Sequence, residues 1–259
     1  ITKYPDQKLF PMATIPAVIE SVQDGITDYG IVPIENSIEG SVTFTLDALI
    51  HDYKVNINSE IMLNISHSLI TNEIIDMSKI KTIYSHPQAL AQCKIYLSKK
   101  APQAQLINTS STSAALKHII NDGITSAAIA HARNAKSNNL NVIEENIQDS
   151  KINITRFVVL GNDITPKTEN DKTSFCFDFS DIDKPGQLIN VMKLFSDQEI
   201  NITKIESRPS KKELGKYIFW MDITGHIEQQ KLSEIFVQVK KITSMLKIIG
   251  SYPVETEII

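Results

Sequence analysis

From residue 28 onward the chain repeats one unit: an apolar strand, a turn bearing Ser, Thr or Asn, and an amphipathic helix. That alternation confines the chain to an α/β architecture, because strands separated by helices must find their hydrogen-bond partners in one another. "DYGIVPI" leads through "ENS" to a helix in "TFTLDALI", "KTIYS" through "HP" to "QALAQCKIYL", and "QLINTSS" to "TSAALKHII". A fourth strand, "SAAIA", runs into "HARNAKS". The spacing predicts parallel pairing, with ligands bound beyond the carboxyl ends of the strands, where these turns lie.

The pattern changes once. "GNDITPKTENDK", residues 161–172, loses apolar periodicity and gains Pro, Asn and Asp, which predicts a linker. Beyond it, "TSFCFDF" sets Phe175, Phe177 and Phe179 on one face, and a helix follows with Leu188, Val191, Met192 and Phe195 at helical spacing. Two strands, "NITKIESRP" and "GKYIFWMDIT", a second helix and a last strand near "LKIIGSY" complete a βαββαβ order. That order predicts a ferredoxin-like antiparallel sheet with both helices on one face and an exposed edge open to pairing with a second copy.

The chain has 259 residues, 42% hydrophobic and 22% charged, enough for two buried cores. Its net charge of −4 disperses Lys and Arg along the sequence, which favours neither nucleic acid nor a membrane surface as partner. No apolar run approaches the roughly 18 residues of a membrane helix, and the reading is of a cytoplasmic protein. Cys93 and Cys176 read as buried thiols, and the His residues show no paired ligand spacing, so no metal site is expected. The first residue is Ile, so the chain is read as starting inside a longer one.

The strand-to-helix turns carry hydroxyls and amides: Asn36 and Ser37 beside Glu35, then Ser85 and Gln88, then Ser111 and Thr112. Such residues cap helices, and helix N-termini facing one rim also bind anions, so each turn has two readings. Thr155 and Arg156 precede the β-branched run of "TRFVVLG". Arg156 is either a surface residue or a fork on a substrate carboxylate. Glu35 and His86 are the titratable groups near these turns, each either chemical or structural.

Taken in order, "VPIENSIEGSV", "YSHPQALAQC", "TSSTSAA", "AAIA" and "TRF", followed by "IESRP", resemble the prephenate dehydratase family. The resemblance implies a two-lobed catalytic region like periplasmic binding proteins over residues 1–166. Lobe one is expected at 1–66 plus 151–166 and lobe two at 67–150, with an ACT regulatory domain at 172–259. It also implies a first strand and a "GPxGTF"-like loop ahead of residue 1. The implied reaction is the decarboxylating dehydration of prephenate to phenylpyruvate, without a cofactor. Thr155, Arg156 and Phe157 are the implied catalytic residues, with Thr155 beside the leaving hydroxyl. Glu35, Asn36, Ser37, Ser85, Gln88, Ser111 and Thr112 would bind substrate.

In the ACT domain the resemblance implies feedback by L-phenylalanine. The implied site is Gly186, Gln187 and Leu188 with Asn201, Glu206, Ser207, Arg208 and Pro209, in a homodimer or homotetramer. The family's Gly-Ala-Leu motif reads Gly186-Gln187-Leu188 here. An arogenate dehydratase shares these motifs, and a non-catalytic two-lobed sensor of small anions shares the architecture.

Overall fold

The computed structural model describes residues 6–179 and 184–259, so residues 1–5 of the expected first lobe lie outside the description. In chain order the first elements are α1 (Ile15–Gln23), β1 (Tyr29–Asn36), β2 (Gly40–Ser41), α2 (Thr43–Asp47), a π-helical turn (Ala48–Asp52) and β3 (Asn56–Asn64). Next come β4 (Ser68–Thr71), β5 (Thr82–Ser85), α3 (Pro87–Gln92), α4 (Lys94–Lys100), β6 (Gln105–Asn108), α5 (Thr112–Asn121), β7 (Ser126–Ala130), α6 (Ala132–Ser137) and β8 (Asn141–Glu144). The chain closes with β9 (Ile154–Gly161), β10 (Asp171–Asp178), α7 (Gln187–Ser196), β11 (Ile202–Pro209), β12 (Tyr217–Thr224), α8 (Gln230–Ile242) and β13 (Met245–Pro253).

Two compact units result. One comprises the described N-terminal residues to Leu63 together with Thr155–Ile259, and the other is Asn64–Ile154. In the second unit the sheet order is β6-β5-β7-β4-β8, with β5 parallel to both β6 and β7 as the strand–helix alternation predicts. Leu69, Ile83, Leu97, Ala127 and Ile129 build a core on this sheet, and Ile70, Ala128 and Leu116 belong to another cluster.

In the first unit the N-terminal sheet has the order β2-β1-β9-β3, and β1 runs antiparallel to β9, not parallel as expected. The reason is connectivity: β9 is not the next strand of the repeat but the segment that returns after the whole second unit. The C-terminal sheet has the order β11-β12-β10-β13, all antiparallel, and is the ferredoxin-like βαββαβ arrangement. One face carries Phe175, Phe177, Met221 and Ile223, packed under α7 and α8 by Val191, Phe195, Leu232, Phe236 and Val239.

The opposite face of that sheet is also buried. Cys176, Ile218, Trp220, Ile249 and Tyr252 pack in one cluster with Ile34, Leu46, Leu49, Val158 and Leu160. β10 is therefore buried on both faces along most of its length, a pattern usual for the inner strands of doubly covered sheets. Gly250 of β13 makes the approach close: a Cβ there would stand 2.3 Å from the Ile57 carbonyl oxygen of β3. Lys247 of the same strand donates from Nζ to Leu49 O at 2.6 Å and Tyr53 O at 2.7 Å, satisfying carbonyls at the end of the π turn. The segment 161–172, expected as a boundary, thus joins two sheets that share a core. Cys93 and Cys176 are buried free thiols, each pushed up to about 12 by burial.

Candidate functional site

The expected catalytic strand is β9, and its register against β1 sets the geometry: Glu35 faces Arg156, and Asn36 faces Thr155. Side chains alternate across a strand, so the Asn36–Thr155 pair points to one face and the Glu35–Arg156 pair to the other. On the first face Asn36 is buried and its Oδ1 accepts from Ile38 N at 2.9 Å and Glu39 N at 3.1 Å. Those bonds fix which end of the amide is oxygen. The Nδ2 end then donates to Thr155 Oγ1 at 3.0 Å. The Thr155 hydroxyl accepts in that bond and keeps its own proton for donation elsewhere.

The turn after β1 is not a helix cap. Helix α2 starts at Thr43, and its N-cap is Val42, which makes no side-chain cap bond. Asn36 serves the turn and Thr155 instead, and Ser37 stands in the exposed part of that turn, which Gly40 closes at φ +82°. The expected helix N-terminal donors at Asn36 and Ser37 are corrected accordingly.

On the second face, Arg156 differs from the expected fork on a substrate carboxylate. Its Nε donates to Glu60 Oε2 at 2.7 Å, Nη1 to Asp222 Oδ2 at 2.7 Å and Nη2 to the Tyr252 hydroxyl at 2.8 Å. Lys172 Nζ adds bonds of 3.0 Å to both oxygens of Glu60. Asp222 Oδ1 accepts from Ser174 Oγ at 2.7 Å and Trp220 Nε1 at 2.8 Å, and Tyr252 and Ser174 share a 2.6 Å bond. With Ser174 donating to a carboxylate, the Tyr252 proton points to Ser174, so the hydroxyls are ordered in one direction.

Two cations balance two anions in this buried group, the condition under which ionised side chains tolerate removal from water. Burial works against the Arg156 charge, but Tyr252, Asp222 and Glu60 outweigh it and hold the guanidinium above its ordinary value. Burial, with Asp222 adding to it, pushes the Tyr252 phenol up. Sequence reasoning missed Glu60, Lys172 and Asp222. The available signal was a charge inside runs that otherwise read as strand, Glu60 in "NSEIML" and Asp222 in "FWMDIT".

Glu35 is held by two cations. Lys204 Nζ of β11 lies 3.1 Å from its Oε1, and Arg156 Nη1 lies 3.6 Å from its Oε2. Lys204 also donates to Ser41 Oγ at 2.6 Å. Four residues along β11 from Lys204, Arg208 reaches Asp47 of α2 through Nε at 2.9 Å and Nη2 at 3.1 Å. These hydrogen bonds hold the Asp47 carboxyl below its usual range. The "IESRP" side chains thus divide by alternation: Glu206 and Arg208 share the face of Lys204, while Ser207 and Pro209 are exposed. Phe157 pairs with Pro33 across the strands and is half-buried.

The remaining substrate candidates are in the second unit. Ser85 is fully buried and donates from Oγ to Ile129 O at 2.7 Å, so its hydroxyl ties β5 to β7 and is not turned to a ligand. His86, not Ser85, caps α3, its Nδ1 accepting from Gln88 N at 3.3 Å. Gln88 is exposed on the first turn of that helix. Ser111 caps α5, accepting from Ala114 N at 3.0 Å, and Thr112 opens the helix beside it.

At the start of α7, Gly186 adopts φ +87°, and no side chain caps the helix there. Gln187 Oε1 turns back to accept from Lys184 N at 3.0 Å, so this long side chain braces the loop, with Leu188 half-buried behind it. Asn201, at the entry to β11, lines an open groove of about 700 Å³ with Ile189, Met192, Lys193, Ile200 and Ile202. β11 is an edge strand of its sheet. Among the described residues no cluster of His, Cys, Asp and Glu is arranged to hold a metal ion, and no helix is long and apolar enough to cross a membrane.

A family model described as prephenate dehydratase matches residues 2–165, and one described as ACT domain matches residues 179–240. The prephenate dehydratase of Methanocaldococcus jannaschii is 41% identical over 228 residues, 87% of this chain and 81% of that protein. The bifunctional chorismate mutase/prephenate dehydratase of Aquifex aeolicus is 39% identical over 94% of this chain, which spans 66% of that relative's length. A crystal structure of prephenate dehydratase from Arthrobacter aurescens in complex with L-Phe matches with a TM-score of 0.86 at 32% identity, over 94% of this chain and 80% of that one. With these likenesses running through both the strand pair of Asn36 and Thr155 and the βαββαβ sheet behind it, the chain belongs to the prephenate dehydratase family and ends in an ACT domain.

Proposed function

We propose that this chain converts prephenate to phenylpyruvate, with the Thr155 hydroxyl donating to the departing ring oxygen. The ring carboxylate leaves as CO₂, its bonding electrons pass through the diene, and the C–O bond at the far ring carbon breaks. The products are phenylpyruvate, CO₂ and, once the hydroxide takes up a proton, water. Aromatisation drives the step, so positioning and one well-aimed donor suffice. The observation that carries the reading is the bond from Asn36 Nδ2 to Thr155 Oγ1, because it leaves the threonine proton available for the leaving group.

Gln88, Ser111 and Thr112 are proposed as donors to substrate carboxylates, with Asn36 and Ser37 serving the turn beside Thr155. Phe157 fills space behind that residue, and Arg156 acts by placing the strand. The effector is proposed to be L-phenylalanine, held at the start of α7 by Gly186, Gln187 and Leu188 with Asn201 nearby. Pairing of the β11 edge with a second copy would give a homodimer or a dimer of dimers.

The test is phenylpyruvate formation from prephenate and from arogenate, measured in parallel on the parent and on Thr155→Val. The expected result is turnover of prephenate by the parent and a loss of about a hundredfold or more in kcat in the variant, with the fold retained and the melting temperature lowered only by the loss of the Asn36 bond. Turnover of arogenate alone would reassign the substrate, and no turnover of either by the parent would favour a sensor.

A further inference from the structure

The cross-strand pair Glu35–Arg156 is gripped from the ACT sheet by two contacts of opposite polarity. Lys204 of β11 brings a cation to Glu35 at 3.1 Å, and Asp222 of β12 brings an anion to Arg156 at 2.7 Å. Lys204 and Asp222 are themselves partners across β11 and β12, so the two contacts come from neighbouring positions on one face of one sheet. Their targets are likewise partners across β1 and β9. One residue further along each of those strands stand Asn36 and Thr155, on the opposite face and bonded to each other.

We propose that Lys204 and Asp222 are positioning residues for Thr155 and Asn36, and that through this crossed pair of contacts the state of the ACT sheet sets the rate of the reaction. The contacts are built for it. The Arg156 and Asp222 side chains are only 8% and 0% exposed, so water hardly screens that attraction, whereas Lys204, 10% exposed, meets a Glu35 side chain that is 36% exposed and partly screened. Arg156 Nη1 sits 2.7 Å from Asp222 and 3.6 Å from Glu35, so any withdrawal of Asp222 hands that nitrogen to Glu35 and pulls on the turn that Asn36 holds. A strand transmits such a pull to the next residue directly, its pleat being fixed by the ladder. Bidentate Arg208–Asp47 pairing lies outside the crossed pair, anchoring the same β11 to α2.

The proposal rests on the prephenate dehydratase reading with L-phenylalanine as effector, and the test separates the two. Prephenate turnover, its inhibition by L-phenylalanine and the calorimetric Kd for L-phenylalanine are measured on the full chain, on Lys204→Gln, on Lys204→Arg and on Asp222→Asn. The parent establishes the underlying reading; an inactive parent, or one indifferent to L-phenylalanine, overturns both. The crossed contacts predict that Lys204→Gln and Asp222→Asn bind the effector within about threefold of the parent, while the inhibition it produces shrinks by roughly fivefold or more, the scale of an ordinary coupling between sites. Lys204→Arg should restore it. A purely structural role would lower the melting temperature and leave the ratio of inhibitory concentration to Kd where it was. That outcome in Lys204→Gln overturns the proposal even if Asp222→Asn does not fold.

Discussion

At Asn36 one amide performs two tasks, and each fixes the other. Its oxygen closes the turn by accepting from Ile38 and Glu39, which obliges its nitrogen to face Thr155. Replacing it by aspartate separates the tasks. In Asn36→Asp one carboxylate oxygen still closes the turn, but the other accepts from the threonine and turns its proton inward. The expected outcome is a fall in kcat of about tenfold or more at neutral pH. Activity should partly return as the medium is acidified toward the ordinary carboxyl pKa of about 3.9, where the protonated side chain donates again. A pH profile of kcat checks this, and a flat profile would remove Asn36 from control of the hydroxyl. The sequence made this residue visible as part of an overloaded turn. It did not reveal whether the turn was a cap, because that depends on where α2 begins, and Val42 rather than Asn36 holds the N-cap position.

The elements themselves were legible because their apolar spacing is local: Phe175, Phe177 and the α8 positions Leu232, Ile235, Phe236 and Val239 lie where periodicity puts them. Pairing was less so. β1 reads like the first strand of a parallel repeat, yet its partner β9 arrives more than a hundred residues later and from the other direction. Nor did periodicity expose the second buried face of the C-terminal sheet. Lys172 falls at the end of the predicted linker, and Asp222 and Lys204 fall inside predicted strands; only tertiary contacts show that each meets a charge on the N-terminal sheet. Gly250 is the point where the two sheets come closest, so it offers a test at this scale. In Gly250→Ala the new methyl would meet the backbone of Ile57, which cannot rotate away as a side chain can. A loss of about 1–3 kcal/mol or more is expected, read from the denaturation midpoint.

For the whole molecule, the shared core makes an ACT domain and part of the catalytic region one cooperative body. Separating them would return Ile218, Trp220, Ile249 and Tyr252 to water, at about 1.5–3 kcal/mol for each large apolar side chain. Native-state hydrogen exchange should therefore find the amides of β9 and β12 opening with the same free energy, as members of one unit. A markedly lower value for β12 would mean that the sheet lifts away by itself. The buried quartet of Arg156, Lys172, Glu60 and Asp222 carries a consequence for descent. Taking one charge from it leaves an uncompensated ion in the interior, costing about 3–5 kcal/mol, whereas exchanging the whole group for apolar residues of similar bulk is close to neutral. A lineage that no longer needed to regulate this reaction could not shed these residues one at a time; they would persist as a set, or vanish in pairs of opposite sign.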